Sequence, residues 1–247
     1  MEPINNKMVK PLGIKAYGSI CHLPSSRLGP GDHKLNEGQA RILTQKARDR
    51  HDVVFVQEKL DGSNVCVARI DGQLVTLGRA GYPAISSPHV QHRFFDLWMR
   101  RHVEQFEWLR EGERLCGEWL AQAHGTRYTL AHEPFVPFDL MRGGERAPYA
   151  EFVARVAVEG LVIPHLLSEG PPLAIDKALA LLEGDLKCRN GFHGAIDPVE
   201  GGVWRVERRG AVDFLGKFVR PGKIDGSYLP EISGKEPIWN WRPEKEP

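Results

Sequence analysis

The sequence has 247 residues and a net charge of +1, from 33 Lys and Arg against 32 Asp and Glu. With 41% hydrophobic and 26% charged residues, it has the composition of an ordinary soluble globular protein. No apolar run approaches the length of a membrane span, and residues 1–13 lack a signal-peptide core, so a cytoplasmic protein without membrane contact is predicted. The cysteines lie far apart and predict neither a zinc site nor a disulfide framework; they are Cys21, Cys66, Cys116 and Cys188.

The first elements lead towards a buried strand. The first 32 residues are rich in proline and glycine and are predicted to form loops. Residues 36–50 have the pattern of a helix, with Asn36 as its cap. Residues 53–56 are a continuous β-branched and aromatic run, which predicts a buried strand running into Glu58 and Lys59.

The next segment predicts a hairpin whose register can be counted. Asp71-Gly72 separates two strand-like runs, residues 64–70 and 74–79, and Asp-Gly between such runs is typical of a two-residue turn. With these as the loop residues, Ile70 pairs with Gln73 and, counting outwards, Asn64 pairs with Arg79. Because opposed residues share a face of the sheet, Arg79 is expected beside Asn64 and next to the turn that follows Lys59.

The remaining elements alternate between helices and antiparallel strands. Residues 89–109 carry aromatic residues at near-helical spacing and predict an amphipathic helix whose rings lie in the core. The later predictions are strands at 114–121 and 135–141, helices at 151–158 and 174–183, and a hairpin of 202–208 and 212–219 around Arg209-Gly210. This mixed order predicts the α+β class.

The segment from Glu58 to Asn64, read E-K-L-D-G-S-N, is the most informative stretch. A lysine fixed at the end of a rigid strand can attack an electrophile when it is neutral and well placed. A surface lysine before a β-turn is the plainer interpretation of K-x-D-G alone, since four residues with one free position arise often by chance.

Further segments change that balance, because they resemble, in order, the signature blocks of the covalent nucleotidyltransferase superfamily of DNA ligases, RNA ligases and mRNA capping enzymes. The resemblance spans about residues 53 to 223, and the ordered combination is far more specific than any one block. The blocks are Lys59-Leu60-Asp61-Gly62, Leu77-Gly78-Arg79, Gly117-Glu118-Trp119-Leu120, Phe135-Val136-Pro137-Phe138-Asp139-Leu140, Glu200-Gly201-Gly202-Val203-Trp204-Arg205 and Leu215-Gly216-Lys217-Phe218-Val219-Arg220.

The resemblance implies a role for each block. Lys59 would attack the α-phosphate of ATP, with Lys217 as a second catalytic cation, and Glu200 would place Mg²⁺ or Mn²⁺. The ATP-binding residues that it implies are Glu58, Asp61, Gly62, Asn64, Arg79, Glu118, Phe138, Glu200 and Lys217. Phe138 would stack on the base, although a plain core phenylalanine remains an alternative. A basic C-terminal cluster would contact RNA through Arg205, Arg220 and Lys223, and a solvated strand face is its alternative.

Two cues favour RNA over DNA as the substrate. Glu58 directly before the lysine resembles the RNA-ligase version of the block, and Asn64 stands where many DNA ligases have arginine. Few residues follow Lys217, which predicts that the OB-fold domain of DNA ligases and capping enzymes is absent. In one departure, Val219 replaces the second lysine of the last block, and Arg220 or Lys223 could take its place.

Together these features predict one α+β nucleotidyltransferase domain, residues 51–247 with a short C-terminal tail, whose antiparallel sheets enclose an ATP cleft. Residues 1–50 are expected to be an accessory segment. The implied activity is an ATP-dependent RNA ligase that joins a 5′-phosphate to a 3′-hydroxyl in RNA repair, with an end-healing kinase or phosphatase as a possible partner. The alternatives are a DNA ligase or capping-type enzyme of the same fold, or a non-catalytic nucleotide- or RNA-binding module.

Overall fold

The computed structural model describes residues 9–186 and 193–242, so the sequence predictions for Cys188, residues 1–8 and the tail beyond Arg242 lie outside it. Within the described ranges the ten strands form two five-stranded sheets. The strands are β1 (Cys21–His22), β2 (Asp52–Lys59), β3 (Ser63–Ile70), β4 (Gln73–Gly78), β5 (Glu113–Trp119), β6 (Phe135–Arg142), β7 (Glu145–Arg146), β8 (Leu166–Gly170), β9 (Gly201–Arg208) and β10 (Ala211–Val219). The α-helices are α1 (Glu37–Thr44), α2 (Val90–Arg101), α3 (Tyr149–Ala157), α4 (Ile175–Leu186) and α5 (Pro230–Ser233).

The first sheet has the order β1-β10-β9-β2-β8 and the second β4-β3-β5-β6-β7. All pairings are antiparallel except the one between β1 and β10. The predicted α+β class with antiparallel sheets is therefore confirmed. The chain passes from the first sheet to the second between β2 and β3, so Lys59, at the end of β2, lies where the two sheets meet.

Both sheets pack against helices. Phe94, Phe95 and Trp98 of α2 pack against Trp119 and Phe135 of the second sheet, so the prediction that these aromatics form core is confirmed. Behind the first sheet, a second core joins residues of α1 and α4 to the strands; it includes Leu43, Val54, Ala178 and Trp204.

The hairpin around Asp71-Gly72 has the predicted register. Ile70 pairs with Gln73, and Asp71 and Gly72 both have the positive φ, 50° and 74°, of a tight two-residue turn. At the other end of this hairpin the backbone N–H of Arg79 donates to the carbonyl of Asn64 at 3.1 Å, as the counted register predicts.

Two predicted helices are shorter in the structure. Asn36 caps α1 as expected, accepting from Gln39 N at 2.8 Å, but the helix ends at Thr44 because Arg48 turns the chain by binding the Asp52 carboxylate with its backbone and side chain. The predicted helix 89–109 ends at Arg101, where the His102 ring contacts the Trp98 carbonyl at 2.8 Å, and continues as a 3₁₀ turn, Val103–Phe106. No helix of the described residues is long and apolar enough to cross a membrane.

Candidate active site

A cleft of about 590 Å³ opens between the two sheets. Both sheets and the loop before β1 contribute to its walls, and most of the site residues predicted from sequence lie along it. Those lining it are Glu58, Lys59, Gly62, Asn64, Arg79, Glu118, Phe138, Arg205 and Lys217. The fold therefore brings together side chains that are up to 159 positions apart in the sequence, from Glu58 to Lys217.

Lys59 ends β2 opposite Gly201 of β9, a register that brings the preceding residue, Glu200, against its ammonium group. The Lys59 Nζ to Glu200 Oε2 distance is 2.6 Å. Burial lowers the pKa of Lys59, but the charges of Glu200 and Glu118 outweigh it and hold that pKa above its ordinary value. In the ligand-free site, Lys59 is therefore an ammonium ion.

The turn after Lys59 is fixed from several directions. The N–H of Gly62 donates to Glu118 Oε1 at 3.0 Å, and the N–H of Asp61 donates to the Tyr128 hydroxyl at 3.0 Å. A Cβ on residue 62 would lie 2.4 Å from the Trp119 carbonyl oxygen, so only glycine fits there. Asp61 Oδ2 lies 2.7 Å from Lys223 Nζ and accepts from Gly125 N at 2.9 Å.

Acidic side chains surround Lys59. Burial raises the pKa of Glu118 to about 7; the charge of Lys59 opposes this shift, and the charge of Glu200 adds to it. Burial likewise raises the pKa of Glu200. Among the described residues, no three His, Cys, Asp or Glu side chains are arranged as a complete metal site. The carboxylates nevertheless concentrate negative charge and hard oxygen atoms at one point of the cleft.

Asn64 and Arg79 stand side by side on the cleft wall, as their register requires. Asn64 Oδ1 is buried, and nothing in the described part of the chain offers it a hydrogen bond. A buried acceptor without a donor is costly, so this atom is suited to a ligand. Arg79 donates to the Ser19 hydroxyl at 2.9 Å from the loop before β1.

Phe138 lies in the wall of the cleft and is only partly buried. The Tyr17 ring meets it edge to face, with centroids 5.1 Å apart, and the Tyr17 hydroxyl donates to Asp139 Oδ2 at 2.6 Å. Packing from one side thus orients the Phe138 ring, while its exposed part faces the cleft.

Lys217 lies on β10 between Val203 of β9 and His22 of β1. Burial and then the charge of Lys59 lower the pKa of Lys217, and the carboxylate of Asp32, 3.6 Å from Nζ, opposes them. Val219, at the position of the missing second lysine, is buried.

Glu58, the residue before Lys59, is buried beside the cleft. Its Oε1 atom accepts from His165 N at 2.9 Å and lies 2.7 Å from His193 Nε2. His193 in turn contacts the ring of His132 at 2.8 Å.

The residues predicted to contact RNA are dispersed. Arg205 is buried in an ion pair with Asp139, and Lys223 is buried beside Asp61 and Thr126. Arg220 is partly exposed and pairs with Glu183 at 2.9 Å. These positions argue against a shared RNA-binding patch, because burial and ion pairing direct the three cations to different partners.

Sequence reasoning missed several residues that complete the site, namely Tyr17, His22, Asp32, Tyr128 and His193. Tyr17, His22 and Asp32 come from the loop-rich N-terminal segment, whose placement depends on the parallel pairing of β1 with β10. A two-residue strand leaves no periodic pattern to recognise.

A protein-family model described as RNA ligase matches residues 52–219. Similar solved structures include Naegleria gruberi RNA ligase with PPi, at 16% identity and a TM-score of 0.51, covering 95% of this chain and 64% of that one. A mutant of the same ligase with ATP and Mn shows 17% identity and a TM-score of 0.51, over 82% of this chain and 60% of that one. An archaeal ATP-dependent RNA ligase shows 20% identity and a TM-score of 0.44, over 68% of this chain and 43% of that one.

At 16% and 17% identity and a TM-score of 0.51, the likeness to the Naegleria structures shows a shared fold. The chain spans less than two thirds of the length of each of these solved structures. None of the curated proteins matches the sequence.

Proposed function

This chain belongs to the RNA ligase family, and we propose that it is an ATP-dependent RNA ligase whose Lys59 forms a covalent bond to AMP. One observation carries the proposal: Lys59 sits at the end of a buried strand, against Glu200, in a cleft that also holds Lys217, Glu118 and Phe138. Nucleophile, second cation, carboxylates and aromatic ring share one cavity, which is the set that nucleotidyl transfer to a lysine needs.

In the first step, the neutral amine of Lys59 attacks the α-phosphorus of ATP. A P–N bond forms, the bond from the α-phosphorus to the bridging oxygen breaks, and pyrophosphate leaves. Negative charge grows on the phosphate oxygens, and Lys217 is placed to stabilise it.

Lys59 has to lose a proton to the solvent before it attacks. Its contact with Glu200 favours the ammonium form, so Lys59 exchanges this partner for the α-phosphate as the nucleotide binds. The second ammonium, on Lys217, then favours the neutral amine, because two nearby cations repel each other.

A divalent cation, Mg²⁺ or Mn²⁺, fits the carboxylates around Lys59. Burial raises the pKa of Glu118 and of Glu200, and a neighbouring carboxylate adds to each rise, so a dication would relieve repulsion between these groups. Glu200 is the residue proposed to hold it, with phosphate oxygens of the nucleotide as further ligands. When bound, the cation supplies positive charge to the phosphates. The solved Naegleria structure that contains ATP and Mn supports this pairing of ligands.

The adenosine would occupy the other walls of the cleft. Phe138 offers its exposed ring surface to the base. Asn64 Oδ1, which lacks a donor in the described residues, can accept from a ribose hydroxyl, and Arg79 can reach ribose or phosphate oxygens. Glu58 and Gly62 shape the cleft beside the nucleophile.

The later steps act on RNA. AMP passes from Lys59 to a 5′-phosphate end, and a 3′-hydroxyl then displaces AMP and seals the strand. The substrate class is RNA with a 5′-phosphate and a 3′-hydroxyl, and RNA repair in the cytoplasm is the proposed setting. A kinase or phosphatase that prepares such ends belongs to the same proposal.

The test is incubation with α-³²P-labelled ATP and Mg²⁺ or Mn²⁺, followed by denaturing electrophoresis. We expect label on the protein band, competition by unlabelled ATP but not by GTP, and loss of label when pyrophosphate is added. An unlabelled band with every metal would contradict the proposal and favour a module that only binds nucleotides or RNA. Preferential labelling by GTP would indicate a capping-type enzyme.

A further inference from the structure

Asp32 lies beside the proposed catalytic cation Lys217, although it comes from the N-terminal loop, outside residues 52–219 that the family model matches. Strand β1 pairs in parallel with β10 and sets His22 next to Lys217. The loop that follows β1 turns back over residues 29–32. This turn places the Asp32 Oδ1 atom 3.6 Å from Lys217 Nζ.

The Asp32 carboxylate also contacts groups other than Lys217. Its Oδ2 atom accepts from Gly29 N at 2.9 Å and lies 3.0 Å from His22 Nε2. The other ring nitrogen of His22 lies 2.6 Å from the Ser26 hydroxyl oxygen, which also accepts from the backbone N–H of Val219 at 2.9 Å. A chain of contacts therefore runs from the end of β10 through Ser26, His22 and Asp32 back to Lys217.

The charges of these groups indicate what this series of contacts does. Lys59 and Lys217 are two ammonium groups in one cleft, and Lys59 lowers the pKa of Lys217. Burial raises the pKa of Asp32, but the Gly29 hydrogen bond and the charge of Lys217 outweigh it and keep the carboxylate ionised. Burial and the charge of Lys217 lower the pKa of His22, so the imidazole stays neutral and adds no third cation. Glu200 and Arg79 are the other charged groups that act on Lys217.

We propose that Asp32 is a positioning residue that acts through Lys217, holding its ammonium group extended into the cleft, ready for the α-phosphate. This inference deepens the proposed function and rests on it. The pair is long and partly exposed, so incoming phosphate oxygens can replace Asp32 as the partner of Lys217 without leaving a buried charge behind.

Because of the position of Asp32, its removal should affect ATP binding and the rate of the chemical step differently. A carboxylate next to the phosphate site repels the triphosphate, so its removal does not weaken ATP binding. Its removal also leaves Lys217 without a partner that fixes its direction, and a misplaced catalytic group slows the chemical step. A residue that only stabilised the fold would change both quantities together.

The experiment compares Asp32→Asn, which keeps the acceptor for Gly29 N, with Asp32→Glu, which restores the charge. Asp225→Asn is the matched control, because Asp225 pairs with Arg27 of the same N-terminal segment at the surface. For each variant, single-turnover formation of protein-linked AMP is measured over a range of ATP concentrations, together with the thermal midpoint.

We expect Asp32→Asn to lower the maximal rate roughly tenfold, with an unchanged or lower half-saturating ATP concentration and an unchanged thermal midpoint. Asp32→Glu should regain part of the rate, and Asp225→Asn should match the wild type. An unchanged rate in Asp32→Asn would overturn the proposal. So would a lower rate accompanied by weaker ATP binding, a lower thermal midpoint and no recovery in Asp32→Glu, since that pattern describes a structural residue.

A second measurement does not depend on catalysis. AMP carries the α-phosphate, so AMP titrated into the protein in a calorimeter should bind more weakly to Lys217→Ala than to the wild type, and at least as tightly to Asp32→Asn as to the wild type. Weaker binding to Asp32→Asn would contradict the proposal. If the wild type forms no protein-linked AMP, the proposed function fails, and this titration still decides whether Asp32 and Lys217 act on phosphate in opposite senses.

Discussion

Lys59, the proposed nucleophile, forms an ion pair with Glu200 in the ligand-free protein. Glu200 lies 2.6 Å from the Lys59 ammonium and, with Glu118, raises the pKa of Lys59. An ammonium ion has no lone pair for attack. In the proposed mechanism, the nucleotide therefore has to draw Lys59 away from its carboxylate partner.

The first prediction concerns this residue. Lys59→Ala should abolish covalent AMP transfer, because Lys217, the other lysine among the described residues that line the cleft, is proposed to bind the α-phosphate as a cation and not to attack it; circular dichroism should show a folded protein. Lys46→Ala, at an exposed lysine beyond the end of α1, is the control and should label like the wild type. Label retained on Lys59→Ala would show that another residue is the nucleophile.

The second prediction uses the carboxyl group of Glu118, whose pKa is raised from 4.5 to about 7 by burial, against the charge of Lys59 and with that of Glu200. Between these two values the folded state binds more protons than the unfolded state, so this group makes stability fall as pH rises through the window. Glu118→Gln keeps the acceptor for Gly62 N and removes the titration.

Urea unfolding at several pH values tests this. The free energy of unfolding of the wild type should fall relative to that of Glu118→Gln from about pH 4.5 to about pH 7. Glu104→Gln, at an exposed glutamate, is the matched acid-to-amide control and should follow the wild type. Parallel curves for the wild type and Glu118→Gln would show that Glu118 is not perturbed in this way.

At the scale of elements, a buried salt bridge connects the two sheets. Arg205 of β9 reaches across to Asp139 of β6, and both side chains are buried. Asp139 also accepts from Tyr17 and Arg146, and Arg205 donates to the Ala147 carbonyl at 3.2 Å. The network sets the spacing of the walls between which the nucleotide would bind.

The third prediction follows from this network. Arg205→Met should lower the free energy of unfolding by about 3–5 kcal/mol, because it leaves a buried carboxylate short of its partner. Arg209→Met, at the exposed tip of the β9–β10 hairpin, should stay within about 0.5 kcal/mol of the wild type. Urea unfolding measures both. Full stability of Arg205→Met with a specific loss of RNA binding would instead support the RNA contact expected from the sequence.

The elements that sequence predicts well are those with local rules. The Asp71-Gly72 turn fixes its own register, and counting from it places Arg79 beside Asn64, where the structure has them hydrogen-bonded. The end of α1 cannot be predicted in the same way, because it depends on a contact between Arg48 and Asp52. The side chain of Arg208, from a distant strand, donates to the same Asp52 carboxylate.

At the scale of the whole molecule, the cleft combines local and distant information. The motif order predicts that Lys59, Glu118 and Lys217 meet, and they line one cavity. Nothing in the motifs predicts that Asp61 captures Lys223 or that Asp32 reaches Lys217, because those pairs depend on how the segments flanking the matched region fold back onto it. Sequence therefore identifies the core of the site more readily than the residues that tune it.

The last prediction concerns the polymer that is sealed. RNA differs from DNA at each nucleotide by the 2′-hydroxyl, which can both donate and accept a hydrogen bond. Family membership and the Glu58 and Asn64 positions favour RNA, so the enzyme should read this hydroxyl at the strand end that it joins. Matched nicked duplexes that differ only in a ribo- or deoxyribonucleotide at the 3′-hydroxyl end isolate that single group.

We expect enzyme already carrying AMP to seal the ribonucleotide nick on the order of tenfold faster, the value of about one good hydrogen bond. Using one stock of adenylylated protein removes the ATP step from the comparison, and gel electrophoresis measures the joined product. Equal rates on both nicks would contradict RNA specificity and leave the ligase proposal standing. Failure to join either nick, by protein that carries AMP normally, would contradict strand sealing itself and direct attention to a different acceptor of the AMP group.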